Sequence, residues 1–277
     1  MENKNYPKLK QAILLTLIFL GIQLVFGLII GVLEALLNIS DESIFSGILM
    51  TLTSIISFGV VILIGFKKTQ EKFNDVFKFN KVSLSMWCAT IIFMFGFFIL
   101  SNEFDNMLNH FLPMPDILKN VFESMIVKQN IIIAIVVVAI VPALFEEMYF
   151  RGLLLNGLSK NYSQRKAIII TAIIFAIIHL NPWQSISAFV IGLFSAWICI
   201  KANSILLSIY IHLFNNSLAL IFMRFPTLIP MPGFNSLSNT EKNFQPLWFD
   251  LIGVIILVVG IILLKRCFGD KNRQKAI

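Results

Sequence analysis

Long apolar stretches, separated by short polar connections, occupy most of the 277-residue chain. A helix needs about 20 mostly apolar residues to cross the hydrocarbon core of a bilayer. Eight stretches approach this length, near residues 11–37, 44–66, 84–101, 130–157, 166–181, 183–201, 203–223 and 247–264. The pattern predicts an all-α polytopic membrane protein with about eight transmembrane helices, forming a single membrane domain over residues 1–277.

Composition and charge support this interpretation. The chain is 57% hydrophobic and 13% charged, whereas a soluble domain is about half apolar and a quarter charged. If the N-terminus lies inside and the connections alternate, 18 of the 22 Lys and Arg residues fall on the inner side. The positive-inside rule then predicts that both termini are cytoplasmic in a multi-pass protein of the cell membrane. The net charge of +7 therefore indicates topology, and no nucleic-acid partner is expected.

Strongly polar side chains interrupt three of the later spans. A carboxylate in hydrocarbon costs roughly 2.5–3.5 kcal/mol on insertion scales, so such residues are expected to be paired, hydrated or functional. The three groups are Glu146 with Glu147 and Arg151, then His179, and finally His212 with Asn215 and Asn216.

The depths of these groups indicate one site. At a rise of 1.5 Å per residue, counted from the inner ends of the spans, Glu146 lies about 17 Å deep and His212 about 15 Å deep. His179 and Asn216 lie at about 20 and 21 Å by the same estimate. All four fall near the middle of a core about 30 Å thick, so three helices are expected to bring them together.

Spacing within the helices separates the two glutamates. Glu147 and Arg151 are four residues apart in the favourable order for an ion pair. Adjacent helical residues point about 100° apart, so we expect Glu146 to be the unpaired carboxylate, facing His179 and His212.

Two further spacings bear on the same helices. His212 and Asn216 are four residues apart and project from one helix face. Pro142 removes the backbone hydrogen bond to the Val138 carbonyl, and a kink there would admit water to Glu146.

These residue types suit the activation of water. A carboxylate beside an imidazole is a general-base arrangement, and a second imidazole with an amide can donate to a developing oxyanion. The sequence contains no HExxH motif, Walker loop or dinucleotide-binding fingerprint, and its serines lie in no nucleophile elbow. Hydrolysis of a peptide bond without a covalent nucleophile is the expected reaction.

At these residues the chain resembles the CAAX-protease and bacteriocin-processing (CPBP/Abi) family of intramembrane proteases. The family motifs EExxxR, FxxxH and HxxxN occur in order on successive core helices. Here they begin at Glu146, Phe175 and His212. The resemblance covers about residues 130–223, which would form the protease core.

The resemblance implies a role for each motif residue. Glu146 with His179 would activate the water, His212 with Asn216 would support the oxyanion, and Glu147 with Arg151 would give structural support. It leaves the cofactor open between none and a divalent metal such as Zn²⁺, for which Glu146, His179 and His212 would be the ligands. The implied partners are the lipid bilayer and a peptide or protein substrate that reaches the membrane.

Three other interpretations remain at this stage. The polar residues can be a buried brace with packed histidines, without catalysis. The chain can be a membrane scaffold or a bacteriocin-immunity or regulatory protein that keeps the fold. A proton-coupled transporter would also carry polar groups at mid-membrane, but it predicts two halves with matching interrupted helices. The deep polar groups predicted here all lie between residues 146 and 216.

Overall fold

The structure is a computed structural model that describes residues 5–40, 42–234 and 244–274. The charge asymmetry predicted from sequence rests partly on Lys4, Lys242 and Lys275, which lie outside the described residues, as do both chain ends. All regular elements in the described part are helices, which confirms the all-α polytopic class.

The described helices are numbered α1 to α10 in chain order. They are α1 (Leu9–Leu37), α2 (Ile44–Thr69), α3 (Phe73–Phe77), α4 (Leu84–Phe111), α5 (Asp116–Phe122, continued by a wider turn over Glu123–Lys128), α6 (Ile131–Asn161), α7 (Gln164–Ile177), α8 (Pro182–Ala202), α9 (Leu206–Arg224) and α10 (Leu247–Gln274).

Seven of these helices are long and apolar enough to cross a membrane: α1, α2, α4, α6, α8, α9 and α10. The fifth predicted span, near residues 166–181, is only the 14-residue helix α7, about 21 Å long. This length is about 9 Å less than the thickness of a core of about 30 Å. Helix α7 instead ends at Ile177 and turns directly into α8.

Helix α4 is longer than the sequence predicts. The sequence predicts a transmembrane span that ends near residue 101, followed by a separate amphipathic helix on the outer face, but the structure has one continuous helix to Phe111. No helix breaker occurs before Pro113, and Phe104, Leu108 and Phe111 maintain a helical apolar spacing beyond residue 101. The extension matters because it brings Asp105 into the lining of the cavity that the motif residues also line.

Helix α6 contains the widest departure from regular α-helix. Two segments, Ile135–Ile140 and Met148–Leu154, form the wider π-type turns, and the α-helical piece Val141–Glu147 lies between them. Pro142 is the second residue of this piece and lacks the N–H that would bond the Val138 carbonyl in a regular α-helix. The glutamate pair therefore lies in a short helical piece bounded by irregular turns, of the kind often found at functional sites.

Helices α4 and α10 approach each other closely through glycine. A Cβ atom on Gly260 would lie 2.5 Å from the backbone of Phe93, and one on Gly96 would overlap the backbone of Leu257. Small residues allow membrane helices to pack backbone against backbone. This contact fixes α4, and with it the wall that faces α8 and α9.

Candidate active site

A cavity of about 400 Å³ lies between α4, α6, α7, α8 and α9. All six site residues predicted from sequence line it: Glu146, Glu147, Arg151, His179, His212 and Asn216. The prediction that separate helices bring these residues to one place therefore agrees with the geometry.

Glu147 is the most highly connected of these residues. Its side chain is 1% exposed. One carboxylate oxygen lies 3.1 Å from Nε of Arg151 and accepts a hydrogen bond of 3.2 Å from the Ser195 hydroxyl. The other oxygen lies 3.0 Å from Nδ1 of His212. Glu147 thus joins α6, α8 and α9, and the predicted Glu147–Arg151 pair is present.

The partner of His212 differs from the expectation. Glu146 was expected to face both histidines, but the hydrogen bond from His212 goes to Glu147. Glu146 lies close enough to His179 and His212 to interact electrostatically with both. It forms no hydrogen bond with either histidine. Spacing within one helix predicts the Arg151 pair, but it does not show which of two adjacent carboxylates meets a different helix.

The hydrogen bonds show which nitrogen of each imidazole carries a proton. A carboxylate oxygen accepts, so Nδ1 of His212 donates to Glu147. A backbone carbonyl also accepts, so Nδ1 of His179 donates to the Phe175 carbonyl at 2.9 Å. In the neutral form, each ring then carries its lone pair on Nε2. Both rings are held through Nδ1, as in catalytic and metal-binding histidines.

His179 lies just beyond its helix, not within it as expected. Helix α7 ends at Ile177, and Leu180 adopts a left-handed backbone conformation with φ of 55°. Asn181 caps α8, and its side chain also donates to the His179 carbonyl at 2.9 Å. The turn fixes His179 from both sides and places it at the end of a short hairpin.

The Phe175 ring lies close to three polar side chains of the site. Its ring meets His179 edge-on with centroids 5.2 Å apart, and meets His212 with centroids 5.8 Å apart. The Arg151 guanidinium lies 4.5 Å from the ring centroid, at cation–π distance. No role for Phe175 was predicted from the sequence, although its place in the FxxxH motif was the available signal.

Glu146 has the feature most suggestive of chemistry. It lines the cavity, yet its Oε2 atom is buried and has no hydrogen-bond partner among the described residues. Buried carboxylate oxygens are normally paired with protein donors or ordered water. A water molecule in the cavity is the natural partner for this atom.

Asn216 is already engaged with the backbone. Its Nδ2 donates to the Val138 carbonyl at 2.9 Å, four residues before Pro142, where the proline has no N–H to act as an α-helical donor. The amide has a second N–H, which can serve an oxyanion. Asn216 therefore compensates for the proline in α6, a role that the sequence analysis did not predict.

Asp105 and Ser187 were also missed. Both line the cavity, and the Ser187 hydroxyl donates to Asp105 Oδ1 at 2.9 Å. Nearby, the indole N–H of Trp183 donates to the Leu112 carbonyl at 2.8 Å, tying the start of α8 to the end of α4. No motif marks Asp105 in the sequence, and the helical segment that carries it was expected to lie on the outer face, apart from the site.

The arrangement does not meet the geometry of a metal site. In the described part of the chain, no three His, Cys, Asp or Glu side chains converge closely enough to hold an ion. This includes the set Glu146, His179 and His212 that would be the ligands of a divalent metal. No catalytic step is therefore assigned to a metal.

The comparisons with known proteins agree with the motifs. Residues 128–218 match the family model described as type II CAAX prenyl endopeptidase Rce1-like. This confirms the family resemblance over the segment that contains all three motifs. Comparisons with the curated proteins and with the solved structures found no match.

Proposed function

We propose that this chain, which carries an Rce1-like domain over residues 128–218, is an intramembrane endopeptidase that hydrolyses a peptide bond with an activated water. The observation that carries the proposal is the buried Oε2 of Glu146, which has no hydrogen-bond partner among the described residues and lies in the cavity that His179 also lines. A general base must lie within hydrogen-bond reach of the proton that it removes, and a water at this oxygen meets that condition.

In the proposed reaction, Glu146 and His179 position the water. As the water oxygen bonds to the peptide carbonyl carbon, one water proton passes to Glu146 and the carbonyl oxygen becomes an oxyanion. When the intermediate collapses, the C–N bond breaks and the leaving nitrogen takes the proton from Glu146. The products are a carboxylic acid and an amine, and the acid then ionises by releasing the second water proton to the amine or to solvent. No covalent enzyme intermediate forms.

His212 and Asn216 support the oxyanion in this proposal. Because His212 donates through Nδ1 to Glu147, its Nε2 can donate only when the ring is an imidazolium. The second N–H of Asn216 is the other donor. Glu147 and Arg151 hold the imidazole in place and do not contact the reacting atoms.

The test uses membranes from cells that express the wild-type chain or Glu146→Gln. Newly formed peptide termini are profiled by mass spectrometry in H₂¹⁸O, since hydrolysis places one ¹⁸O in each new carboxylate. We expect new peptide termini that form only when the wild-type chain is present. The rate of their formation should be about 10²–10⁴-fold lower in Glu146→Gln. His179→Ala should lose a similar factor.

Glu123→Gln, a change at a half-exposed glutamate outside the cavity, is the matched control and should keep full activity. Protein level and thermal unfolding must match between variants. Wild-type rates in Glu146→Gln at normal protein level would overturn the proposal. Wild-type membranes without new ¹⁸O termini would favour the scaffold or immunity interpretation.

Proton-coupled transport is the second candidate function. The deep polar groups predicted from sequence all lie between residues 146 and 216, but Asp105 on α4 adds a polar group from an earlier helix to the same cavity. Liposome flux distinguishes the two functions. A proton flux that is lost in Glu146→Gln, with no hydrolysis in the wild type, would favour the transporter.

A further inference from the structure

A second group of polar residues, outside the three motifs, lines the same cavity. On α4 the cavity-lining polar residues are four apart or adjacent, so they share one side of the helix. The opposing residues come from the first turns of α8. The surface consists of Ser101, Asn102, Asp105 and Asn109 on α4, with Gln184 and Ser187 on α8.

The charges of the cavity lining are unequal. Three carboxylates line it, those of Asp105, Glu146 and Glu147, but Arg151 is the only Lys or Arg that does so in the described part of the chain. Arg151 pairs with Glu147. Among the described residues, neither Asp105 nor Glu146 forms an ion pair with a Lys, Arg or His side chain. Glu146 has His179 and His212 in its neighbourhood.

Asp105 differs from Glu146 in its partner. Its Oδ1 accepts the hydroxyl of Ser187, which fixes the carboxylate towards the start of α8. A hydroxyl satisfies one lone pair of a carboxylate that can accept about four hydrogen bonds. A carboxylate in a low-dielectric cavity is costly unless it is paired, so a cationic ligand group would bind favourably there.

We propose that Asp105 determines substrate specificity by pairing with an ammonium or guanidinium group of the peptide, while Glu146 acts on the scissile bond. This inference rests on the proposed endopeptidase function. Asp105, held by Ser187, binds a lysine or arginine side chain or a free α-amino group near the cleavage site. It disfavours peptides that carry an acidic group at the same place, because two carboxylates would then be desolvated together.

The first experiment measures cation binding without any proteolysis. Purified Glu146→Gln in detergent keeps Asp105 as the one cavity carboxylate without a cationic partner among the described residues. Its thermal unfolding is followed with octylammonium, octanol or octanoate as the probe. We expect octylammonium to raise the unfolding temperature in a saturable manner and the other two probes not to do so.

The matched variant is Glu146→Gln with Asp105→Asn, an isosteric change that removes only the charge. The stabilisation by octylammonium should disappear, whereas any general effect of the probe on the micelle persists in both proteins. Equal stabilisation of the two proteins by octylammonium would overturn the proposal, as would a preference for octanol or octanoate.

The second experiment measures specificity. Peptides are synthesised around a cleavage site found by the ¹⁸O profiling, with lysine or its near-isostere norleucine at each position from four residues before to four residues after the bond. At one position we expect wild type to favour lysine in kcat/KM by about 30-fold, the size of losing one partner of a buried charge pair. In Asp105→Asn this ratio should approach one, and Asp105→Lys should favour glutamate there.

The two arms separate failure of the inference from failure of the proposed function. Cleavage by the wild type with no lysine preference at any position would overturn the role of Asp105 and leave the protease intact. Octylammonium binding that depends on Asp105, together with no cleavage by the wild type, would overturn the protease and retain a cation site.

Discussion

The carboxylates in two parts of the cavity lining differ in their partners. We call the motif residues the motif end and the polar residues of α4 and α8 the α4–α8 end. At the motif end, Glu147 has contacts with Arg151, Ser195 and His212 on three helices. At the α4–α8 end, Asp105 has one hydroxyl partner, from Ser187. A carboxylate neutralised by its own protein holds the fold together, whereas one left with a hydroxyl can accept a charge from a ligand. The comparison indicates which acids are structural and which are open to a substrate.

The largest difference between the two ends should appear when each carboxylate is neutralised. Glu147→Gln leaves the Arg151 guanidinium buried without its counter-ion, and we expect a loss of about 3–5 kcal/mol in the free energy of unfolding. Asp105→Asn leaves no buried cation without a counter-ion, so it should lower the free energy of unfolding far less. Labelling of the buried thiol of Cys199, with Cys88 and Cys267 changed to serine, measures unfolding in both variants.

Replacing both partners is the control for this prediction. Glu147→Gln with Arg151→Met removes the stranded charge, so stability should recover substantially while hydrolysis remains impaired through His212. Similar losses in Glu147→Gln and Asp105→Asn would contradict the contrast between the two ends.

The next effect tests Asn216 at the motif end. Asn216→Ala leaves the Val138 carbonyl without a donor, which should cost about 1–3 kcal/mol. Pro142→Ala supplies a backbone N–H within α6, so the cost of Asn216→Ala should shrink in that background. A double-mutant cycle by thermal unfolding measures the coupling.

Activity in the same four proteins separates two roles of Asn216. If the second N–H serves the oxyanion, hydrolysis stays low in the double variant although stability returns. Recovery of both together would assign Asn216 to the backbone alone.

A smaller effect is expected at the α4–α8 end. Trp183→Phe keeps an aromatic ring but removes the N–H that donates to the Leu112 carbonyl. The expected loss is about 0.5–1.5 kcal/mol of unfolding free energy, measured by thermal unfolding in detergent. Trp248→Phe is the matched control, because Trp248 is 54% exposed, and it should change stability less. A larger loss at Trp248 would contradict the assigned contact.

The smallest effect concerns the turn that holds His179. Leu180 has a φ of 55°, which costs a residue with a Cβ about 1–2 kcal/mol. Leu180→Gly should therefore stabilise the protein by about 1 kcal/mol or less. Ile178 has an ordinary helical conformation, so Ile178→Gly should destabilise by about 1 kcal/mol. Thermal unfolding of the pair should show opposite signs, and equal signs would contradict the strain at Leu180.

Hydrophobic runs and spacings within single helices predicted most of the fold and the membership of the site. The Glu147–Arg151 pair follows from four-residue spacing, and the common cavity follows from similar depths. The Glu147–His212 bond and the Asp105–Ser187 bond join residues 65 and 82 positions apart. Such contacts depend on helix rotation and packing, which periodicity does not determine.

The position of His179 was misjudged for a different reason. The apolar run continues to Leu180, so hydropathy alone extends the helix through His179. The chain instead turns there because Pro182 disfavours helical conformation at Asn181, and Asn181 is well suited to cap the next helix. Local turn chemistry therefore outweighed hydrophobicity at this point.

The short helix α7 also has a consequence for the surrounding lipid. Ile177 and Leu180 at its end are 57% and 75% exposed, yet the helix is about 9 Å shorter than the hydrocarbon core by its rise. Lipids beside such an end compress or tilt to match it, at a cost of fractions of a kcal/mol per Å. The bilayer is therefore expected to be thinnest beside His179, which shortens the path of water from the headgroups to the residue that would use it.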